Sequence, residues 1–265
     1  MLWYYLFLFF LGLVLGSFLN VVVMRSLRGE SWVEGRSKCD HCQHQLAWYD
    51  NIPLLSYIWL RGKCRYCGAK IPLQHPVTEL LVGSLFVWWG LVGREFFRLV
   101  EVPGIRIIQP LFWLAIGLIL AVVVLVDWFY GVIPDWCIWL GGILTIGYRG
   151  LLWWQGIMRF EDVVHTLMAA VGAWMFFYFL YRLTNKRGMG LGDVYLAPVL
   201  GLILGWPRVL IGLMMAFILG AIAGVFLMIF GDKNLKSTLP FGPFMVAGSF
   251  LALVWGMQWW QWLVT

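Results

Sequence analysis

Charged side chains are scarce in this chain: nineteen Lys/Arg and thirteen Asp/Glu among 265 residues, against 62% apolar residues. A soluble domain rarely has that balance. The apolar residues fall in continuous runs, several approaching the ~20 residues that span a bilayer. They lack the alternation over segments of roughly ten residues that a membrane β-barrel shows. No internal repeat, no low-complexity tract and no glycine fingerprint of a dinucleotide-binding unit is evident. Residues 1–24 have neither a basic n-region nor a small-residue cleavage site, so they read as a retained first span rather than a removed signal peptide. What these absences leave is an all-α integral membrane protein.

The charge that is present is unevenly placed. The formal balance of +6 might point to nucleic acid. However, thirteen of the nineteen basic residues fall between Arg25 and Lys70, between Arg182 and Arg187, and at Lys233 and Lys236. That is the positive-inside pattern of cytoplasmic loops, not a nucleic-acid surface. About eight transmembrane helices follow, near 2–24, 77–97, 107–126, 136–154, 163–181, 194–206, 209–230 and 241–263. An outside N-terminus then puts the 25–76 loop and the 127–135, 182–193 and 231–240 connections on the cytoplasmic side. Trp153-Trp154 and Trp259-Trp260 fall at expected membrane edges, where amphipathic rings collect in contact with lipid.

Two aspartates stand at the ends of apolar runs. Asp127 closes Ala121–Val126, and Asp193 follows the glycine-rich segment Gly188-Met189-Gly190-Leu191-Gly192. A carboxylate at such a place is costly and marks a functional site. The topology puts both on the cytoplasmic side. Residues 194–206 would make a helix of only about 20 Å at ~1.5 Å per residue, less than the ~30 Å hydrocarbon thickness, so Asp193 is expected below the membrane surface. Gly188, Gly190 and Gly192 are expected to supply backbone freedom for a turn at that depth. Asp135 is the rival to Asp127, although its place after Pro134 also suits a helix cap. For Asp193, too, a helix cap is the plain structural alternative.

The longest polar stretch carries Cys39-Asp40-His41-Cys42 and Cys64-Arg65-Tyr66-Cys67-Gly68. Paired C-x2-C knuckles place four thiolates around one tetrahedral zinc ion, and four cysteines leave no open position for catalysis. Two disulfides are the alternative, disfavoured in the cytoplasm; His41 and His44 are alternative ligands. Cys137 reads as a packing residue.

These residues resemble a known family. Gly16-Ser17-Phe18-Leu19-Asn20 in the first span, Asp50-Asn51-Ile52-Pro53 with Arg61-Gly62-Lys63-Cys64 in the loop, Glu79-Leu80-Leu81, Val126-Asp127 through Asp135, Gly190-Leu191-Gly192-Asp193 and Pro240-Phe241-Gly242-Pro243 are together similar to the bacterial type IV prepilin peptidases of the GxGD aspartyl protease class. Tyr195 departs from the family's usual Lys, and His75 from its usual aromatic. The resemblance implies a first helix over 1–24, a zinc-binding and methyltransferase region over 25–76, and a peptidase domain over 77–265. It implies catalytic Asp127 and Asp193, with Gly190 and Gly192 shaping their loop, in the bacterial inner membrane facing the cytoplasm. Prepilins or pseudopilins would be the substrates, cut after a short basic leader, with the apolar helix left in the membrane. S-adenosylmethionine would then methylate the new N-terminus, although no residues for it are apparent. Glu79 is a candidate contact for the basic leader, or a structural partner of the zinc loop.

The chemistry needs only the two carboxylates. Close like charges cannot both ionise comfortably, so the pair shares a proton while activating water. A proton- or ion-coupled transporter is the alternative, although no inverted repeat is visible. A membrane scaffold organised by the zinc loop is a third reading.

Overall fold

In lipid every backbone N–H and C=O must be satisfied within the segment, so continuous apolar runs become helices. A computed structural model, described over residues 1–31, 33–93, 104–185, 188–230 and 239–265, has helices at all eight expected places. These are α1 (Leu2–Arg28), α3 (Gln74–Trp88, continued by a wider turn Trp89–Gly93), α4 (Ile108–Tyr130), α5 (Asp135–Trp154), α6 (Phe160–Leu183), α7 (Leu191–Leu204), α8 (Arg208–Phe230) and α9 (Gly242–Val264). A short α2 (Leu55–Trp59) lies in the polar loop. Among the described residues the only β pairing is two isolated bridges. Four helices, α1, α4, α6 and α8, are long and apolar enough to cross a membrane on those grounds alone. The far end of the second expected span, 94–97, lies outside the described residues, as do Lys186, Arg187, Lys233 and Lys236 and most of the 231–240 connection.

The chain divides into two compact units, Met1–Val122 and Val123–Thr265. In the first, α1 and α3 approach very closely. A Cβ on Gly12 would stand 2.7 Å from Gly83 Cα, and one on Gly16 would stand 2.8 Å from Glu79 Cα. Small residues let membrane helices bring their backbones together, which replaces the missing hydrophobic drive. Leu8, Val82 and Phe86 form the buried centre, with Leu114 and Leu118 packed against it. Helix α1 ends at Gly29, whose left-handed φ of 67° is the usual helix stop.

In the second unit α7 is the hub. Nine of its fourteen residues are buried, including Leu196, Ala197 and Leu200. At about 21 Å it is shorter than a bilayer core. A Cβ on Gly201 would lie 2.7 Å from Ala170 Cα on α6. We expect Gly201→Leu to lower stability by about 1–3 kcal/mol, because backbone cannot yield as a side chain can; an unchanged melting temperature would contradict that contact. Arg149 of α5 closes the other end of α7. Its Nε donates to the Leu202 carbonyl at 2.6 Å, Nη2 to the Ile203 carbonyl at 3.2 Å and Nη1 to Thr166 Oγ1 at 2.9 Å. A guanidinium is the right cap there, since the carbonyls at a helix C-terminus lack partners and carry partial negative charge.

Candidate active site and metal centre

The two cysteine knuckles fold alike. In the first, the Gln43 N–H donates to the Cys39 carbonyl at 2.9 Å and the Cys39 N–H to the His44 carbonyl at 3.0 Å. In the second, the Gly68 N–H donates to the Cys64 carbonyl at 2.9 Å and the Cys64 N–H to the Ala69 carbonyl at 2.8 Å. Antiparallel bridges Lys38–Gln45 and Lys63–Lys70 close the two turns. The residue after each second cysteine takes a left-handed φ, 70° at Gly68 and 58° at Gln43. The glycine is thus explained, and Gln43 adopts the same turn without one. All five cysteines are free thiols, so disulfides are not the arrangement.

The Cys39, Cys42, Cys64 and Cys67 sulfurs lie within 4.8 Å of one another. Cys39 and Cys67 Sγ are 3.9 Å apart. Four Zn–S bonds of ~2.3 Å in a tetrahedron put the sulfurs about 3.8 Å apart, so the cluster fits a zinc ion. His44 instead lies tilted against Tyr66, ring centroids 3.7 Å apart, and His41 is exposed. The buried Asp50 carboxylate braces the loop. It accepts from Arg65 Nε at 2.8 Å and from the Tyr66 hydroxyl at 3.3 Å.

Glu79 is buried in α3 and accepts the Leu54 N–H at 2.8 Å. Leu54 has a φ of 57°, uncommon for a branched residue, and the carboxylate helps to hold it there. Glu79 is therefore engaged as a structural partner of the loop.

Asp127 and Asp193 come together in the second unit. Both are buried, 5% and 7% exposed, and electrostatically coupled. Asp127 stands near the end of α4, where its Oδ2 accepts the Gly242 N–H at 2.8 Å. Gly242 is the first residue of α9, so this N–H has no partner within its helix. Asp193 lies in the first turn of α7, not ahead of it. Asp135 is the first residue of α5 and exposed.

The glycines before Asp193 act differently from expectation. None of Gly188, Gly190 and Gly192 has a positive φ, and Gly190 sits at −72°. Two of them provide space instead of backbone freedom: a Cβ on Gly188 would lie 2.8 Å from Thr184 Cβ, and one on Gly192 would lie 3.0 Å from Ile133 Cβ. Gly192 therefore lets the Asp193 turn press against the 131–134 connection that follows Asp127. The donor at Gly242 escapes sequence reasoning, because a backbone N–H leaves no side-chain signature. The signals are the Gly242-Pro243 pair opening an apolar run and its place in the Pro240–Pro243 segment by which the chain resembles the family.

Comparison with known proteins follows the same two-part layout. A model described as the bacterial peptidase A24 N-terminal domain matches residues 10–92, and one described as the type IV leader peptidase family matches residues 113–225. A prepilin leader peptidase/N-methyltransferase of Aeromonas hydrophila is 31% identical over 293 residues, covering 99% of this chain and 95% of the relative. Relatives of the same description from Myxococcus xanthus (35% identical; 84% of this chain, 63% of the relative) and Pseudomonas aeruginosa (30% identical; 94% and 89%) also match. No solved structure matches. Since the matched stretches contain all four knuckle cysteines and both buried aspartates, and the Aeromonas hydrophila relative aligns over 95% of its length, this chain belongs to the type IV leader peptidase family.

Proposed function

We propose that this chain is a membrane aspartyl endopeptidase that removes the leader from type IV prepilins or pseudopilins at the cytoplasmic face of the bacterial inner membrane. The observation that carries the reading is the pair Asp127 and Asp193, both buried, on different helices of one unit, and electrostatically coupled. Two like charges so coupled share a proton. The ionised member takes a proton from water as the water attacks the scissile carbonyl, and the protonated member donates to the carbonyl oxygen. The proton then passes to the leaving amine, and the pair titrates as one unit. The Gly242 N–H keeps Asp127 oriented without adding a titrating group. Nothing in the relatives supports the transporter alternative. Incubating the purified chain with full-length prepilin and following the leader by mass spectrometry tests the reading; an intact prepilin would overturn it.

Gly242 gives a sharper test. A Cβ there would stand 2.7 Å from Asp127 Oδ2 and 3.3 Å from its Cγ. Gly242→Ala must push the carboxylate aside, and misplacement on the order of 1 Å can cost about 100-fold in rate. We expect kcat to fall by roughly that factor with KM near wild type. Wild-type turnover in this variant would show that Asp127 is not held where the reaction needs it.

The 25–76 loop is assigned a zinc ion with a structural role, on Cys39, Cys42, Cys64 and Cys67. N-methylation of the new amine is assigned to the same unit. A cavity of about 810 Å³ there is lined by Asp40 and Glu30, by Arg28 and Arg36, and by Trp48 and Tyr57. That mixture suits S-adenosylmethionine: carboxylates for its cationic groups, guanidinium for its carboxylate, aromatic faces for its adenine. When bound, it supplies the methyl group. Mass analysis of the mature pilin tests the assignment, and an unmethylated product would confine the chain to peptidase activity.

A further inference from the structure

Helix α2 turns its apolar side outward. Leu55, Ile58 and Trp59 follow the i, i+3, i+4 spacing that puts three side chains on one helical face. They are 57%, 69% and 83% exposed, and such a cluster on a polar loop marks an interaction surface. The other side faces inward. Ser56 Oγ donates to the Ile52 carbonyl at 2.7 Å, and Ser56 and Tyr57 line the cavity of the first unit. Three exposed cations follow the stripe: Arg61, then Lys63 and Lys70, which pair across an antiparallel bridge. The ion pairs among the described residues use other groups, so none of the three has a carboxylate partner there.

The level of the stripe follows from one hydrogen bond. The Leu54 N–H, just ahead of α2, donates to Glu79 Oε2 at 2.8 Å. Glu79 belongs to α3, just inside the span expected from residue 77, and the flanking Val77 and Leu80 expose apolar side chains at that level. Helix α2 is about 8 Å long, and the headgroup layer is about 5–7 Å deep on each face of a bilayer. Even a helix running straight outward from Glu79 therefore ends near the outer edge of that layer.

We propose that α2 is an interfacial anchor: Leu55, Ile58 and Trp59 enter the headgroup layer of an anionic bilayer surface, and Arg61, Lys63 and Lys70 meet its phosphates. The proposal rests on the membrane class of the chain and not on the peptidase reading. Indole suits that layer, being apolar in its body and polar at its N–H. Anionic surfaces attract basic residues set beside an apolar face. The loop needs no encounter to reach lipid, because α1 and α3 enter the membrane at its two ends. Through Ser56 and Tyr57, the anchor holds one wall of the cavity against the bilayer.

Trp59 is the probe position, since a side chain so exposed can be replaced without disturbing the fold. A fluorescent amino acid there, in the full chain reconstituted into vesicles containing phosphatidylglycerol, should lose at least about half its emission to a nitroxide carried at the lipid headgroup, and clearly less in phosphatidylcholine alone. Arg61→Gln, Lys63→Gln and Lys70→Gln together should bring the first result down to the second. No quenching at position 59, or equal quenching with and without phosphatidylglycerol, would overturn the proposal. The vesicle comparison stands even if the triple variant misfolds. A photoreactive amino acid at position 59 should also crosslink to lipid in native membranes. Crosslinks only to protein, whether a second copy of this chain or another, would overturn the anchor as well.

Discussion

Replacing either buried aspartate by asparagine abolishes prepilin cleavage: we expect Asp127→Asn and Asp193→Asn each to lower kcat by at least about 10³-fold. The substitution keeps the side chain's size and removes its ability to carry the charge and exchange the proton. Asparagine Oδ1 can still accept the Gly242 N–H at position 127, and the side chain keeps its size at both positions, so helix packing should survive. The double variant should be little worse than either single one, because groups that act as a unit lose their function together. Asp135→Asn is the control. That carboxylate is exposed at the start of α5, and its loss should leave turnover within about twofold. Purified variants assayed on one prepilin, with circular dichroism to confirm helix content, decide the matter. Substantial activity in either single variant would break the dyad, and loss in Asp135→Asn would move the site to the other end of the connection.

The second large effect concerns the thiolates. Cys64 is the buried member of the four, and Cys64→Ser should take metal content from about one zinc per chain to near zero. Structural zinc sites of this kind contribute about 10–16 kcal/mol of binding free energy at neutral pH, and that energy is folding energy for the segment. The two knuckles have few other means of staying closed. Each is held by three backbone hydrogen bonds, with the Arg28–Asp40 pair at the first and the Asp50–Arg65 pair beside the second. Limited proteolysis should then cut between Ser37 and Ile71, which the wild type resists. Chelation should reproduce the effect, and restored zinc should reverse it in the wild type only. A metal-free wild-type protein with the same protease resistance would remove the zinc assignment.

Much of this architecture was legible from residue order. Continuous apolar runs placed all eight helices, with ends shifted by a few residues. Helix α1 runs on to Arg28, beyond 24, because Leu27 and Arg28 continue a good helical sequence until Gly29. Helix α7 begins at Leu191, before 194, because a helix start tolerates Gly192 and welcomes Asp193 in its first turn. The cysteine knuckles were legible because their spacing is itself the geometry. The expectation that failed concerned Gly188, Gly190 and Gly192. Glycine marks either a left-handed backbone or a close approach, and sequence does not distinguish them. Here Thr184 and Ile133 decide for close approach at two of the three.

By itself, then, the sequence determined the membrane class, the places of eight helices among the described residues, the cysteine loop and the two carboxylates worth attention. Each of these is written in local pattern: hydropathy, spacing, or a charge where charge is costly. Only the tertiary structure decided that Asp127, not Asp135, lies buried and electrostatically coupled to Asp193, that Glu79 is tied to Leu54, and that Arg149 caps α7. It alone brought the Gly242 N–H to Asp127 across 115 residues of chain. The physical reason is the same in every case. These partners are set by which helix faces pack together, and in a membrane that choice turns on small residues and backbone approach, which leave little trace in the order of apolar side chains.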